Sequence, residues 1–290
     1  MAIQGSTTGQ LENISKEMIK EVIYTLEHTA PNRALVRRFT LPDGQDTLVI
    51  PKVGQMTFMA IEETQKNTNE MDIGMTTQSV STSIVGGKVI ISDELRRASS
   101  LDIWGMAGVQ IGDAASRREE EDIIALYGGL NGGTKLGAAG AVFNVTNVMN
   151  IIATAKTNKF GGDLHIIHHP NAMLRLSKDL TTLGANRPIP TGFSEDRLKK
   201  FFTGIVLSAV PFFETGNISR DTNGDCDGVI KTKDAIGLLE SAGIRRKRVR
   251  DESIGEGVDI IYVTHRYTAF EQDDAQGAAL TYNALTPATS

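Results

Sequence analysis

The chain of 290 residues holds a single cysteine, Cys226, so an internal disulfide is excluded. The neighbouring Asp225 and Asp227 disfavour the thiolate that a cysteine nucleophile needs, and one thiol fits a reducing compartment or a protein that needs no crosslink. Apolar runs are short: none approaches the roughly 18 residues that span a bilayer. The first residues, Met1-Ala-Ile-Gln-Gly-Ser-Thr-Thr, carry neither a basic region nor an apolar core, so neither export nor membrane insertion is expected. Positive charge is also short, with 30 Lys and Arg against 35 Asp and Glu and a net charge of −5. That balance argues against a surface that binds nucleic acid everywhere, although a local basic patch is compatible with it. No solenoid repeat, low-complexity block or His-Glu-x-x-His pair occurs.

What the chain does have is a 40% hydrophobic content, enough for one large or two small domains with a substantial core. Its most informative stretch runs from Asp46 to Tyr127. Thr47-Leu-Val-Ile-Pro-Lys and Met56-Thr-Phe-Met-Ala-Ile-Glu-Glu are rich in β-branched and aromatic residues, with Pro51 and Gly54 as turn signals between them. Ser79-Val-Ser-Thr-Ser-Ile-Val resumes the extended pattern and Lys88-Val-Ile-Ile-Ser closes it, alternating so that one face packs and the other stays wet. The tip, from Gln65 to Gly74, is too polar to fold back on a core and is expected to project.

Ser92 then N-caps a short turn that begins with Asp93 and Glu94, and a long helix is expected from about Leu101 to Tyr127, stopped by Gly128-Gly129. Within it Gly105, Gly108, Gly112 and Ala115 fall on one side. Each glycine costs about 0.8–1 kcal/mol against alanine, so the spacing predicts that another backbone crosses closely there, or else that the helix breaks near Gly108. Trp104, Ala107, Ile111 and Ala114 form the apolar stripe, and the run Arg117 to Asp122 reads as a solvated charged face.

Ahead of this stretch, Leu11 to Leu26 reads as an amphipathic helix on an arm that continues through Arg37-Arg38 to the turn Pro42-Asp-Gly. Behind it, Gly128 to Gly140 reads as a flexible loop, Val145 to Ala155 as a helix, and Leu164-His-Ile-Ile-His-His-Pro as a buried strand. Asn171 to Leu176 reads as a short helix, Leu207 to Phe213 as an extended piece, and Val258 to Phe270 as a long strand. The reading is therefore α+β.

This order of parts resembles the major capsid protein of tailed bacteriophages, the Johnson fold. The resemblance is carried by Lys88-Val-Ile-Ile-Ser-Asp-Glu-Leu, Glu121-Asp-Ile-Ile-Ala-Leu-Tyr-Gly, His168-His-Pro-Asn-Ala-Met-Leu-Arg-Leu and Gly228-Val-Ile-Lys-Thr-Lys-Asp-Ala-Ile-Gly-Leu, followed by the strand from Val258. It implies an N-terminal arm over residues 1–45, an extended loop over 46–91 and a peripheral domain with a spine helix over 92–160. An axial domain over 161–257 and a closing strand over 258–290 that returns to the peripheral domain would complete it. It further implies a non-enzymatic subunit that assembles as hexamers and pentamers into an icosahedral shell around phage DNA, in the virion, after assembly in the host cytoplasm. Expected partners are other copies, a separate scaffolding protein, since the arm starts almost at once, a portal, and weakly contacted packaged DNA, with no membrane. An encapsulin-type compartment is the related alternative. The lysine and asparagine pair of crosslinking members has no identifiable counterpart.

Four local patterns suggest chemistry of their own. Asn223-Gly-Asp-Cys-Asp-Gly-Val-Ile-Lys-Thr-Lys-Asp234 has the spacing of an EF-hand loop, in which Asn223, Asp225, Asp227 and Asp234 would hold calcium, with Asp221 nearby. Asn for the first Asp and Asp for the last Glu depart from that pattern, and an Asx-rich turn is the competing reading. A calcium-dependent binding protein or hydrolase built on this loop is the alternative of another class. His165, His168 and His169, with Asp163 or His265, invite a zinc reading that competes with buried structural histidines. Arg245-Arg-Lys-Arg-Val-Arg250 reads as a solvated strand edge or as intersubunit ion pairs, with DNA contact as the lesser reading. Gly128-Gly-Leu-Asn-Gly-Gly-Thr-Lys135 resembles a phosphate loop only superficially, because it follows a helix and lacks the Gly-Lys-Thr order.

Overall fold

Two sheets meet at the C-terminal end of one long helix, and a two-stranded ribbon leaves the body beside them. The computed structural model describes residues 31–42, 45–53, 74–98, 103–158, 162–186, 206–207, 210–255 and 257–286. The expected N-terminal helix, the Met56 strand and the polar loop tip lie outside these residues. In chain order come β1 (Arg37–Thr40), β2 (Thr47–Val53), β3 (Met75–Ser81), β4 (Ser83–Ser92), α1 (Asp93–Ala98) and α2 (Ile103–Ile124). Next are β5 (Leu136–Val142), α3 (Val145–Thr157), β6 (His165–His168) and α4 (Pro170–Asn186). The chain continues through β7 (Val206–Leu207), β8 (Val210–Glu214), β9 (Asp225–Lys231), β10 (Ile236–Asp251), β11 (Val258–Glu271) and β12 (Gly277–Asn283).

The six-stranded sheet has the order β5-β12-β9-β6-β8-β7. Successive residues of its central strands point to opposite sides and both sides are covered, which is why adjacent residues such as Ile166-Ile167 and Val229-Ile230 are both apolar. Ile166 and Ile230 pack with Val148, Ile151 and Ile152 of α3 and Met173 and Leu176 of α4. Their neighbours Ile167 and Val229 face the other way, onto Ile123 and Tyr127 at the end of the long helix and onto Val36, Leu238 and Tyr267. Helix α3 starts where the Asn144 side chain accepts the Asn147 backbone N–H at 2.8 Å, an N-cap. Ser92 likewise caps α1, its hydroxyl accepting the Leu95 N–H at 3.2 Å.

The four-stranded sheet has the order β1-β10-β11-β4. The hairpin β10–β11 is its frame, and β4 pairs antiparallel with β11 from Tyr267↔Ser83 to Val258↔Ser92. At Thr82 the chain changes partner: β3 leaves this sheet and pairs with β2 as a separate ribbon. The inner face of the ribbon places Val80, with Leu48 and Ile50, against Leu41, Leu239 and Phe270.

Several expectations change here. Pro51 is not a turn residue: it lies inside β2 opposite Thr77. A two-stranded ribbon leaves one edge of each strand unpaired, so a missing N–H is tolerated. Part of the glycine-rich loop is a strand, since β5 pairs with β12 through Leu136↔Leu280 and Gly137↔Thr281. The helix expected at 171–176 extends from Pro170 to Asn186. The closing segment is divided: β11 belongs to the four-stranded sheet, whereas the small residues Gly277, Ala278 and Ala279 let β12 enter the centre of the other. Helix α2 runs unbroken through Gly108. Among the described residues no backbone crosses it closely at Gly108 or Gly112, because a Cβ on Gly112 would meet nothing within 4 Å and one on Gly108 only the Arg246 guanidinium at 3.9 Å. The surroundings of Gly105 lie outside the description. A groove of about 400 Å³ opens on that side, between Ile111 and Ala115 of the helix and Val89 and Val263 of the sheet.

One glycine is demanded by packing. A Cβ on Gly86 would run into the Val263 carbonyl oxygen and lie 3.1 Å from the Thr264 Cα. Gly86→Ala is therefore expected to push β4 off β11 at a cost of about 1–3 kcal/mol, read as a lowered calorimetric Tm, while Gly87→Ala, with open space around it, leaves Tm unchanged.

Candidate functional site

The stretch Arg117 to Asp122 is not uniformly solvated. Glu119 is 3% exposed and Glu120 1%, so the charged interval contains buried residues of α2. Burying a carboxylate is costly unless donors surround it, and here the segment entering β1 supplies them. The Asn32 backbone N–H donates to Glu120 Oε2 at 3.1 Å and its side-chain amide to Oε1 at 2.7 Å. Tyr127 closes the clasp by donating its hydroxyl to Asn32 Oδ1 at 2.7 Å. Next along the chain, Arg33 bridges Glu119 at 2.5 Å and Glu240 at 2.6 Å. From β9, the fully buried Lys231 donates to the Leu35 carbonyl at 2.7 Å. Tyr267 ties the helix to β11 through Asp122 Oδ2, also at 2.7 Å.

Burial sets the protonation of this junction. It raises the carboxyls of Glu119 and Glu120 against the pull of Arg33 and Asn32, and it lowers the Lys231 ammonium to about 7 against the attraction of Glu120. His165, beside Lys231, is lowered to about 3 by burial and by that cation, and His168 to about 3 by burial.

Two outward surfaces accompany the junction. The ribbon exposes Val49, Val53 and Met75, the last two directly paired across it. On β10 the basic run is divided by strand alternation. Arg248 grips Asp259 through two hydrogen bonds of 3.1 and 2.6 Å, and Arg250 holds Asp93 at 2.7 Å and Glu252 at 3.2 Å. Arg245, Arg246 and Lys247 make no ion pair among the described residues, and all are exposed.

The structure does not gather the calcium-loop residues. From Asp225 to Lys231 the chain is an extended strand paired on both sides, with β12 and β6. About 20 Å of strand therefore separates Asn223 from Asp234, where an EF-hand would coil. Asp234 pairs with Arg37 at 3.1 Å. Asp225 accepts from the Gly140 N–H, and Asp227 from Lys135 and Thr281, each at 2.6 Å. Asp221 takes the N–H groups of Asn223 and Asp225, which is the Asx-rich turn. The ladder hydrogen bonds of a central strand outweighed the ligand spacing.

The histidines are dispersed as well. His165 stands edge-on to Phe213, His168 lies between Phe143 and Tyr282, and His265 belongs to the other sheet. His169 accepts the Asn171 N–H. Among the described residues no three His, Cys, Asp or Glu side chains are placed to hold a metal. In the glycine segment, two tight 3-10 turns lead to Lys135, which is engaged by Asp227. Sequence reasoning missed the Asn32–Glu120–Tyr127 clasp, which has no local signature: Asn32 and Glu120 are 88 residues apart.

Asn32→Ala keeps the backbone N–H bond to Glu120 but removes the side-chain amide bond to that buried carboxylate and the acceptor of the buried Tyr127 hydroxyl. It is expected to destabilise the chain by about 3 kcal/mol in denaturant unfolding, with Asn32→Asp at least as damaging because it places a second negative charge on Glu120. The pH dependence follows from the histidines. Both are neutral in the fold down to about 3, whereas the unfolded chain takes up protons below about 6.5. Stability therefore falls as pH drops from about 6.5 towards 3. His165→Gln should reduce that slope by about 1.4 kcal/mol per pH unit between pH 4 and 6. Lys231 acts in another window, since its fold value of about 7 lies below the ordinary 10.5, so it makes stability rise from pH 7 to 10.

No protein-family model matches the chain, and no curated protein matches it. Solved structures do. The capsid of the cyanophage P-SCSP1u is 13% identical and superimposes with a TM-score of 0.66, over 97% of this chain and 96% of that one. The acid-stable capsid of Helicobacter pylori bacteriophage KHP30 gives 12% identity and a TM-score of 0.69, over 97% and 99%. The capsid of a native GTA particle gives 14% and 0.65, over 92% and 95%. Over nearly its whole length this chain has the α+β fold of those capsid proteins, the Johnson-type fold that the order of its elements leads one to expect.

Proposed function

We propose that this chain is a major capsid protein, the repeating subunit of a closed shell that encloses phage DNA. The observation that carries this reading is the end-to-end likeness to capsid structures, which covers nine-tenths or more of both chains. The surface chemistry supports it. A ribbon that packs on the body by one face and presents Val49, Val53 and Met75 on the other is poorly suited to a free monomer. Covering each such side chain contributes up to about 1.5–3 kcal/mol, and a closed lattice repeats the contribution at every subunit. The clasp at Asn32 holds the root of the N-terminal arm, so that the arm pulls against a rigid part of the body. In this reading the partners are other copies arranged as hexamers and pentamers, a separate scaffolding protein, a portal and the packaged DNA. The place of action is the virion, after assembly in the host cytoplasm.

Electron microscopy of the purified full chain, alone and co-expressed with a scaffolding protein, tests the proposal. Closed shells of uniform size are the expected result, and a persistent monomer under both conditions refutes it. Val53→Asp with Met75→Asp is expected to abolish shells while leaving Tm within about 2 °C of the unmodified chain, because both side chains are exposed in the subunit.

A further inference from the structure

Strand β10 is covered on its outer side for only part of its length. Its parallel pairing with β1 ends at Thr40↔Glu240. The register with β11 then shifts twice between Glu240 and Arg245, and from Arg245↔Thr264 to Arg250↔Asp259 it runs without a break. Over this last stretch β10 is the outermost strand among the described residues. Every second residue there turns a backbone N–H and C=O outward, a row of roughly 17 Å that an added strand would complete. Asp251, which accepts from Ser253, ends the row.

The side chains along this edge fix the sign of its partner. Arg248 and Arg250 are spent on Asp259, Asp93 and Glu252. Arg245, Arg246 and Lys247 are exposed and make no ion pair among the described residues. Alternation puts Arg246, opposite Val263, on the side of the sheet that faces α2, and Arg245 and Lys247, opposite Thr264 and Tyr262, on the other.

Cations on an edge keep unsuitable strands away, and here the exclusion is selective. The other outermost strands among the described residues are β1, β4, β5, β7 and the ribbon β2–β3. Their only charges are Arg37, Arg38, Lys88 and Lys52, with no Asp or Glu. A described edge of a second copy is therefore repelled, whereas an acidic strand is attracted through both faces at once. Nucleic acid matches the edge less well. Phosphates accept hydrogen bonds but supply no N–H for the outward carbonyls, and a duplex lying on one face leaves the cations of the other untouched.

We propose that the outer edge of β10 from Arg245 to Arg250 is a strand-addition site for an extended acidic segment of a different protein, held by main-chain hydrogen bonds and selected by Arg245, Arg246 and Lys247. Main-chain pairing supplies the affinity, and the charges supply the choice of partner and of register. The inference does not depend on the shell reading, because the edge belongs to the single subunit.

A fluorescein-labelled peptide of alternating glutamate and valine, titrated into the purified full chain and read by anisotropy, tests the site. Saturable binding is expected, with slowed amide hydrogen exchange confined to Arg245–Arg250 and their neighbours. Arg245→Glu, Arg246→Glu and Lys247→Glu together should weaken binding at least tenfold at unchanged Tm, since all three side chains are exposed. The same peptide N-methylated at alternate residues keeps its charge but cannot complete the ladder. It should lose binding to the unmodified chain, which keeps the test independent of how the variant folds. A methylated peptide that binds equally well overturns the inference, as does exchange that is unchanged along β10. Duplex DNA that occupies the same residues and displaces the peptide also overturns it, as do crosslinks in assembled shells that place another copy along this edge. Shells that form while the peptide fails to bind overturn this inference alone, and a chain that takes the peptide but never forms shells overturns only the shell reading.

Discussion

Glu120 is a carboxylate in the interior of the protein, and much of the molecule is arranged around the need to satisfy it. Its two oxygens take the backbone and side-chain N–H groups of Asn32, whose own oxygen takes the Tyr127 hydroxyl. A buried acid with fewer donors would cost several kcal/mol, so the segment at Asn32 is fixed wherever the helix end is fixed. Lys231, one strand away, is buried under the same constraint and spends its donor on the Leu35 carbonyl. Four parts of the chain that are remote in sequence thereby meet at one point: the segment at Asn32, the end of α2, β9 and, through Tyr267 and Asp122, β11.

This junction ties the two sheets and the long helix into one frame. Both sheets place apolar side chains against it, Ile167 and Val229 from one and Leu238 and Tyr267 from the other. The parts that leave the body are then aimed by a fixed frame. The ribbon is held along the end of β11 by Leu48, Ile50 and Val80, while the long helix packs mainly at its C-terminal third and leaves a groove beside its middle.

How much of this could be read beforehand depended on whether the information was local. The strand from Val258, the helix from Val145 and the Ser92 cap followed from periodicity and capping chemistry within a few residues. The long helix was legible too, although its most useful feature was misread: Glu119 and Glu120 look like any charged run until Asn32 and Arg33 arrive from nearly ninety positions away. The converse holds at Asn223 to Asp234, where calcium and an Asx-rich turn were the competing readings. There a good local ligand spacing was overridden, because β12 and β6 on either side make the segment a central strand. The basic run was recognised as surface, but which of its residues are spent on Asp259 and Asp93 and which are free depended on strand register.

By itself, then, the sequence determined the class of the fold, the order of the principal elements and the resemblance to capsid subunits, since these rest on residue patterns shorter than about fifteen positions. Tertiary structure decided the rest: which charges are buried, where the chain changes sheet at Thr82 and how β12 enters the six-stranded sheet. Those features depend on pairing between distant segments, and such pairing is fixed by the collective burial of both partners rather than by the residues of either one.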